Sequence, residues 1–230
     1  PNGNLVGQGS WVQTGTTATN PIQVTSSAAI VNNSGQDVYK AFSGTVPATA
    51  ATSIYSVLDV TVTAAAAGGD YFAHLSDPVG TTSNFYQRLF IQSATGGFRF
   101  GILETSGAGG TTDYGTTVLS FNTPYRVVVA WNFVAGALND TQTIYIDPTD
   151  AIPANNTVYA TTTWTTSTAE PAQLTAANLR QSSASYGANV DLFRVTDDFS
   201  LAVVPEPSTC LLLGVGLGFT LLRLRRRQVA

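Results

Sequence analysis

The chain has 230 residues and a formal net charge of −4, and four of its ten Lys and Arg residues lie within the last eight positions. Residues 1–204 therefore carry six basic side chains against thirteen acidic ones, and this acidic balance argues against nucleic-acid binding. Cys210 and His74 are the only cysteine and histidine, which excludes a disulfide, a cysteine nucleophile and a multi-histidine metal site in residues 1–204.

Short β-prone runs separated by turn clusters fill the sequence up to about residue 200. Ser, Ile, Tyr and Val alternate well across 53–63, and this period of two is the signal of a half-buried strand. Residues 125–133 are hydrophobic without a break, so we expect that strand in the middle of a sheet. The runs 95–97 and 64–69 are predicted to form a hairpin turn and a loop. The other predicted strands are 22–25, 28–31, 37–43, 70–75, 85–92, 97–104, 141–147, 157–168, 173–181 and 190–195.

About a dozen strands with no long helix before the tail indicate an all-β antiparallel sandwich or barrel. Two parts of the chain also resemble bacterial laminin-G-like, concanavalin A-like domains. Residues 3–11 (GNLVGQGSW) resemble the opening of such domains. The second half of such domains is similar to four strings that occur here in the same order, at 125–131, 139–141, 144–148 and 190–195. The resemblance implies a jelly-roll β-sandwich over residues 1–200.

The same domains usually have a strand before the opening motif. The sequence begins at Pro1 and contains no methionine. We therefore expect a processed product or a fragment, with the signal peptide and an N-terminal strand missing. The partner of that strand would be left with an unpaired edge.

The tail has three parts in a fixed order. Pro205 and Pro207 form a stiff elbow, because each fixes φ and removes a backbone donor. An uncharged run follows, and its eight strongest hydrophobic side chains contribute about −4 kcal/mol towards membrane insertion. We predict a marginal transmembrane helix over 210–224, built on Cys210, Leu211, Leu212, Leu213, Leu217, Phe219, Leu221 and Leu222. Arg223, Arg225, Arg226 and Arg227 then stop transfer, and residues 225–230 form a basic tail that stays in the cytoplasm. The alternative is a buried C-terminal core helix, although such a helix should be amphipathic.

This order resembles the PEP-CTERM sorting signal of Gram-negative bacteria. The resemblance implies recognition by an exosortase, a membrane-embedded cysteine protease, within a linker at 201–209. The sorting residues would be Val204, Pro205, Glu206, Pro207 and Ser208. The protein would be anchored in the inner membrane before processing and would then reach the cell envelope or the extracellular space.

Catalysis finds little support in the residues. A single strand histidine, His74, is more often structural than catalytic. Glu104 and Glu170 are the only glutamates in residues 1–204, and neither has an acid two positions away, as a strand-borne pair of glycosidase carboxylates would need.

Calcium is the one cofactor left open. The oxygen-rich loops containing Asp140, Asp147 and Asp150 could supply hard ligands, and the alternative is that they are turn residues. Trp11, Trp131 and Trp164 could stack on sugar rings, but we expect at least two of them in the core.

We therefore expect an envelope- or exopolysaccharide-associated surface protein whose ectodomain binds a glycan or matrix component without catalysis. The partners would be an exosortase, extracellular polysaccharide and, before processing, the membrane. One alternative is a structural protein that assembles through strand edges or sandwich faces. A second alternative is a glycoside hydrolase that uses Glu104 or Glu170.

Overall fold

Antiparallel β-strands make up nearly all the regular structure in the computed structural model, which describes residues 3–16, 19–32, 34–48, 52–105, 110–164, 169–182 and 186–203. They form two sheets. Sheet A contains β1 (Gly3–Asn4), β3 (Gln23–Thr25), β4 (Ala28–Val31), β6 (Ser53–Ala64), β11 (Pro124–Asn132), β12 (Thr141–Ile146), β13 (Val158–Thr163) and β15 (Gly187–Thr196). Sheet B contains β2 (Val12–Gln13), β5 (Val38–Pro47), β7 (Asp70–Ser76), β8 (Phe85–Ala94), β9 (Gly97–Thr105), β10 (Asp113–Tyr114) and β14 (Gln173–Leu179).

The strand order shows many long-range crossings between the sheets. Sheet A runs β1-β3-β4-β15-β6-β11-β12-β13, and sheet B runs β10-β9-β8-β7-β14-β5-β2. Every neighbouring pair is antiparallel, as in Val128 opposite Tyr145 and Phe90 opposite Tyr71. The protein is thus an antiparallel β-sandwich, and its crossovers are consistent with a jelly roll.

The core lies between the two sheets because each strand turns alternate apolar side chains inward. Leu58, Val60 and Val127 from sheet A meet Phe72 and Phe100 from sheet B. A second part of the core holds the two largest buried side chains. Trp131 and Trp164 are fully buried there with their rings stacked 6.0 Å apart. The prediction that at least two tryptophans belong to the core is confirmed.

The predicted strands correspond closely to the observed ones. The alternating run at 53–63 is β6, and the unbroken hydrophobic run is β11, which lies between β6 and β12 and is buried on both faces. The structure adds three two-residue strands, β1, β2 and β10, which are too short to leave a periodic signal.

The last described residues form a short 3₁₀ turn, Phe199–Ala202, against the outer face of sheet A. No helix in the described ranges is long and apolar enough to cross a bilayer. The predicted transmembrane helix at 210–224 and the sorting residues Val204 to Ser208 lie outside the described residues.

Candidate functional site

Tyr71 occupies the centre of a cluster on the outer face of sheet B. It lies on β7, between the neighbouring strands β8 and β14. Phe72 on the same strand points into the core, so Tyr71 points the opposite way. Its ring makes tilted contacts with Phe90 at 5.4 Å and with Phe85 at 6.3 Å. Three aromatic rings therefore form the apolar part of the site.

Two arginines flank the Tyr71 ring. The guanidinium carbon of Arg180 lies 4.1 Å from the ring centroid, and that of Arg88 lies 5.3 Å from it. Both distances are within the range of cation–π attraction. Burial lowers the pKa of Arg88, and the nearby positive charge of Arg180 lowers it further. A bound anion would reduce this repulsion, so the pair is suited to a negatively charged group.

Asp70 is the acid that balances part of this charge. Its carboxylate accepts a hydrogen bond from Arg180 Nη1 at 2.9 Å and from the Tyr71 amide at 2.8 Å. The Ser182 hydroxyl also contacts it. Asp70 therefore holds Arg180 in place over the tyrosine, and the negative charges of Asp70 and Glu104 also act on Arg88.

His74 lies beside Tyr71 on the same face of β7. Its ring is 4.4 Å from Phe85 and 5.6 Å from Tyr71, and only 4% of the residue is exposed. Neither ring nitrogen has a hydrogen-bond partner among the described residues. Burial, with the positive charges of Arg180 and Arg88, lowers the pKa of His74 to about 3. The imidazole is therefore neutral and enclosed, in agreement with a structural histidine.

Local irregularities in the strands create this arrangement. The β7–β8 pairing shifts between Tyr71 and Ala73 and again before Leu75. On β8, Gln87 has a positive φ of 48° and turns inward to contact Ser56 and the Val129 carbonyl. Bulges of this kind redirect side chains, and they place Phe85 on the outer face with Arg88 and Phe90.

The face continues across β9 and β10. Phe98 and Phe100 point into the core, so Arg99 between them lies on the outer face by alternation. Tyr114 on β10 packs edge-on to Phe90 at 6.4 Å. Half of the six basic residues in positions 1–204 therefore lie on one face of one sheet, in a protein that is otherwise strongly acidic.

Local sequence patterns alone do not identify these residues as a cluster, although a signal is present. Arg88, Arg99 and Arg180 all fall within predicted strands. Arg88 and Arg99 occur out of phase with the neighbouring core side chains Leu89 and Phe98. The contacts with Tyr71 could not be foreseen, because they depend on the order of β8, β7 and β14 in the sheet.

A groove at the open side of the sandwich is the other concave feature. Its cavity of about 450 Å³ is lined by Trp11, Lys40, Phe42, Phe193 and Val195, among others. A neighbouring cavity of about 370 Å³ shares Trp11, Lys40 and Phe193. Phe42, Phe193 and Val195 point towards the core but stay half-buried, so the sandwich is incompletely closed here.

The three candidate calcium ligands serve separate structural roles. Asp140 accepts hydrogen bonds from Trp131 Nε1 at 3.1 Å and from the Val134 amide at 2.8 Å. Asp147 accepts from the Arg126 amide at 2.7 Å. Asp150 accepts from the Ile152 amide within its own loop, which lowers the pKa of its carboxyl. No group of three or more acidic, histidine or cysteine side chains that could hold a metal ion occurs within the described ranges.

Glu104 and Glu170 also make separate structural contacts. Glu104 is 2% exposed and points between the sheets, where the Thr162 hydroxyl approaches it at 3.4 Å. Glu170 precedes β14 and accepts from the amides of Asn139 at 2.8 Å and Asp140 at 3.1 Å. Each carboxylate therefore supports a local part of the fold.

A family model described as the PEP-CTERM protein-sorting motif matches residues 203–227. The chain carries a PEP-CTERM sorting motif. This motif indicates a secreted, envelope-associated protein that an exosortase processes. The PEP-CTERM match covers the tail alone and assigns no family to residues 1–202, and no curated protein matches the chain.

Solved structures resemble the sandwich at low sequence identity. A family 7 alginate lyase in complex with substrate is 11% identical, with a TM-score of 0.46 over 82% of this chain and 76% of that one. The heptameric SAP-like pentraxin from Limulus polyphemus is 10% identical, with a TM-score of 0.49 over 75% and 78%. The exoplasmic/lumenal domain of VIP36 in its Ca2+/Man-bound form is 12% identical, with a TM-score of 0.47 over 83% and 87%. Similarity at this level does not identify a ligand or a reaction.

Proposed function

We propose that this exosortase-sorted protein binds an acidic polysaccharide of the cell envelope through the outer face of sheet B, without catalysis. The observation that carries the proposal is the cluster of Arg88 and Arg180 around Tyr71. Guanidinium groups pair with carboxylate or sulfate oxygens. Tyr71 is only 8% exposed, so the half-buried rings of Phe90 and Tyr114 would offer the apolar surface to a sugar ring. Arg99 and Tyr114 extend the same face, as a polymer spanning several sugars requires.

Burial of the polar groups supports a binding role over a catalytic one. A general acid or base must reach the proton it transfers, whereas His74 is enclosed beneath its aromatic neighbours. Glu104 lies between the sheets, away from the outer face. The proposal therefore assigns recognition to arginine and tyrosine and assigns no reaction to the site.

A matched pair of polymers tests the ligand class. Residues 1–203 would be titrated with polygalacturonate and with the same polymer after methyl esterification, which removes the negative charge but keeps the sugar backbone. We expect binding to the charged polymer alone, weakening as salt is raised from about 0.05 to 0.5 M because salt screens exposed charges. Equal binding to both polymers would contradict an acidic ligand. If no glycan on a broad array bound the protein, glycan binding itself would be contradicted.

A second candidate function is assembly through strand edges, favoured by the groove. Among the described residues, β2 pairs with β5 only at Val38 and Tyr39, and β4 pairs with β15 only at residues 188–190. The remaining edges on those sides adjoin the groove and could pair with another chain. Light scattering of the ligand-free protein tests this second candidate. Assembly predicts multimers without ligand, and a monomer would exclude assembly.

A further inference from the structure

The segment immediately before the sorting motif is fastened to the outer face of sheet A. We call residues 198–203 the exit segment. Phe199 is 4% exposed and packs edge-on to Tyr55 at 5.1 Å and to Tyr145 at 5.5 Å. Ala202 is fully buried in the same cluster. The Asp198 carboxylate caps the turn by accepting from the Ser200 amide at 2.9 Å.

Arg126 holds the end of the exit segment. Its Nη1 donates to the Val203 carbonyl at 3.1 Å. Its Nε and Nη2 donate to the two carboxylate oxygens of Asp59, each at 2.7 Å. Arg126 and Asp59 are direct partners across β11 and β6, so the guanidinium is fixed by the sheet before it reaches Val203. This geometry leaves one donor group aimed at the chain where the domain ends.

The sorting motif begins where this fastening ends. The match to the motif starts at Val203, and only two peptide units separate Val203 from Pro205, a reach of at most about 7 Å. A protease grips its substrate as a freed, accessible segment, so cleavage close to a folded surface depends on local opening. While the exit segment stays fastened, the length of the chain alone keeps Pro205 within about 7 Å of Val203.

We propose that Arg126 is a positioning residue for exosortase processing, and that the exit segment must detach from sheet A before the motif is engaged. The inference rests on the sorting assignment and not on the glycan-binding proposal. When opening and closing are fast relative to cleavage, the processing rate follows the population of the open state. Weakening the Arg126 contacts should then make processing faster.

The test follows processing of the full chain in cells that contain an exosortase. Arg126→Gln removes the contacts with Asp59 and Val203 together. We expect processing to become about threefold to tenfold faster, because partial exposure of Arg126 and Asp59 reduces the more than tenfold effect of losing a buried charge-assisted contact. Arg194→Gln is the matched control, because Arg194 is an exposed arginine on β15 of the same sheet. Hydrogen exchange of the 199–203 amides should rise in Arg126→Gln and stay unchanged in Arg194→Gln.

A lengthened chain separates reach from general destabilisation. Inserting Gly-Ser-Gly-Ser between Val203 and Val204 frees the motif while leaving every sheet A contact intact. We expect the insertion to accelerate processing and Arg126→Gln to add nothing further in that background. Processing of Arg126→Gln at the wild-type rate or more slowly would overturn the inference, as would an insertion without effect. If replacing Pro205, Glu206 and Pro207 with alanine leaves processing and location unchanged, the sorting assignment itself fails.

Discussion

At the scale of single residues, burial determines the charge of His74 and its effect on stability. The neutral ring fills space beside Tyr71 and Phe85, and its nitrogens lack hydrogen-bond partners among the described residues. A buried polar atom without a partner costs about 1–3 kcal/mol. The residue is therefore expected to make the fold sensitive to acid while contributing little that an apolar side chain could not supply.

Replacing His74 with leucine should reduce the loss of stability in acid. The unfolded chain takes up a proton on this histidine near pH 6.5, whereas the folded protein does so only near pH 3. Between these values the unfolded state binds more protons, so stability falls as pH falls, by up to about 1.4 kcal/mol per pH unit. Urea unfolding at pH 6.5 and 4.5 should show a smaller decrease for His74→Leu. Equal decreases in the two proteins would contradict a buried neutral His74.

Replacing Arg88 with glutamine should weaken binding of an acidic polysaccharide about tenfold. A charge-assisted hydrogen bond contributes about 1.5–3 kcal/mol, and partial exposure reduces that value. Arg194→Gln removes the same charge from the opposite sheet and should leave affinity unchanged within about twofold. Calorimetry at low salt provides the measurement. If both variants lose affinity equally, net charge and not the cluster determines binding.

At the scale of elements, the loop around Asp140 explains why a plausible metal ligand is structural. Asp140 is 4% exposed, and its carboxylate joins the buried Trp131 indole to the backbone of the turn that follows β11. Burial raises the pKa of this carboxyl, although both hydrogen bonds oppose that change. The sequence showed an oxygen-rich turn, but not that the buried Trp131, nine residues earlier in the chain, would need its oxygen.

Replacing Asp140 with alanine should destabilise the sandwich by about 2–4 kcal/mol. The change leaves the Trp131 N–H and the Val134 amide without their acceptor, and each such loss costs about 1–3 kcal/mol. Asp191→Ala, at an exposed position on β15, should change stability by less than about 0.5 kcal/mol. Chemical denaturation measures both. A loss below 0.5 kcal/mol for Asp140→Ala would show that the loop does not depend on this carboxylate.

The strands themselves were largely predictable, and the orientation of β8 was not. Period two identifies which residues form a strand and assigns opposite faces to neighbours. The positive φ of Gln87 breaks that alternation, so that Tyr86 and Gln87 both point inward. A bulge depends on contacts with other strands, here with Ser56 and Val129. Its position cannot be read from the local sequence.

At the scale of the whole molecule, the exit segment and the cluster around Tyr71 lie on different sheets of the sandwich. The exit segment lies on the outer face of sheet A, and the cluster around Tyr71 lies on the outer face of sheet B. Stacked sheets place these faces on opposite sides of the domain. A chain held at its tail would therefore present the cluster away from the point of attachment, where a polysaccharide could reach it.

The tail and the fold class could be predicted from sequence because both are written in local patterns. The order of elbow, apolar run and basic end predicted the sorting motif, which the match at 203–227 confirms. Alternating strands predicted the antiparallel sandwich. The cluster could not be predicted, because it depends on the order and register of strands that are far apart in the chain. Arg180 and Tyr71, for example, are 109 positions apart, and no local pattern encodes their proximity.

The most direct test of the account is the nuclear magnetic resonance spectrum of the arginine side chains in residues 1–203, recorded with and without an acidic oligosaccharide. This part of the chain has five arginines, each assignable from a single Arg→Gln variant. We predict that the Nε–H signals of Arg88, Arg99 and Arg180 shift on binding while those of Arg126 and Arg194 do not. Shifts confined to Arg126 and Arg194, or no shift at saturating ligand, would contradict a binding face on sheet B.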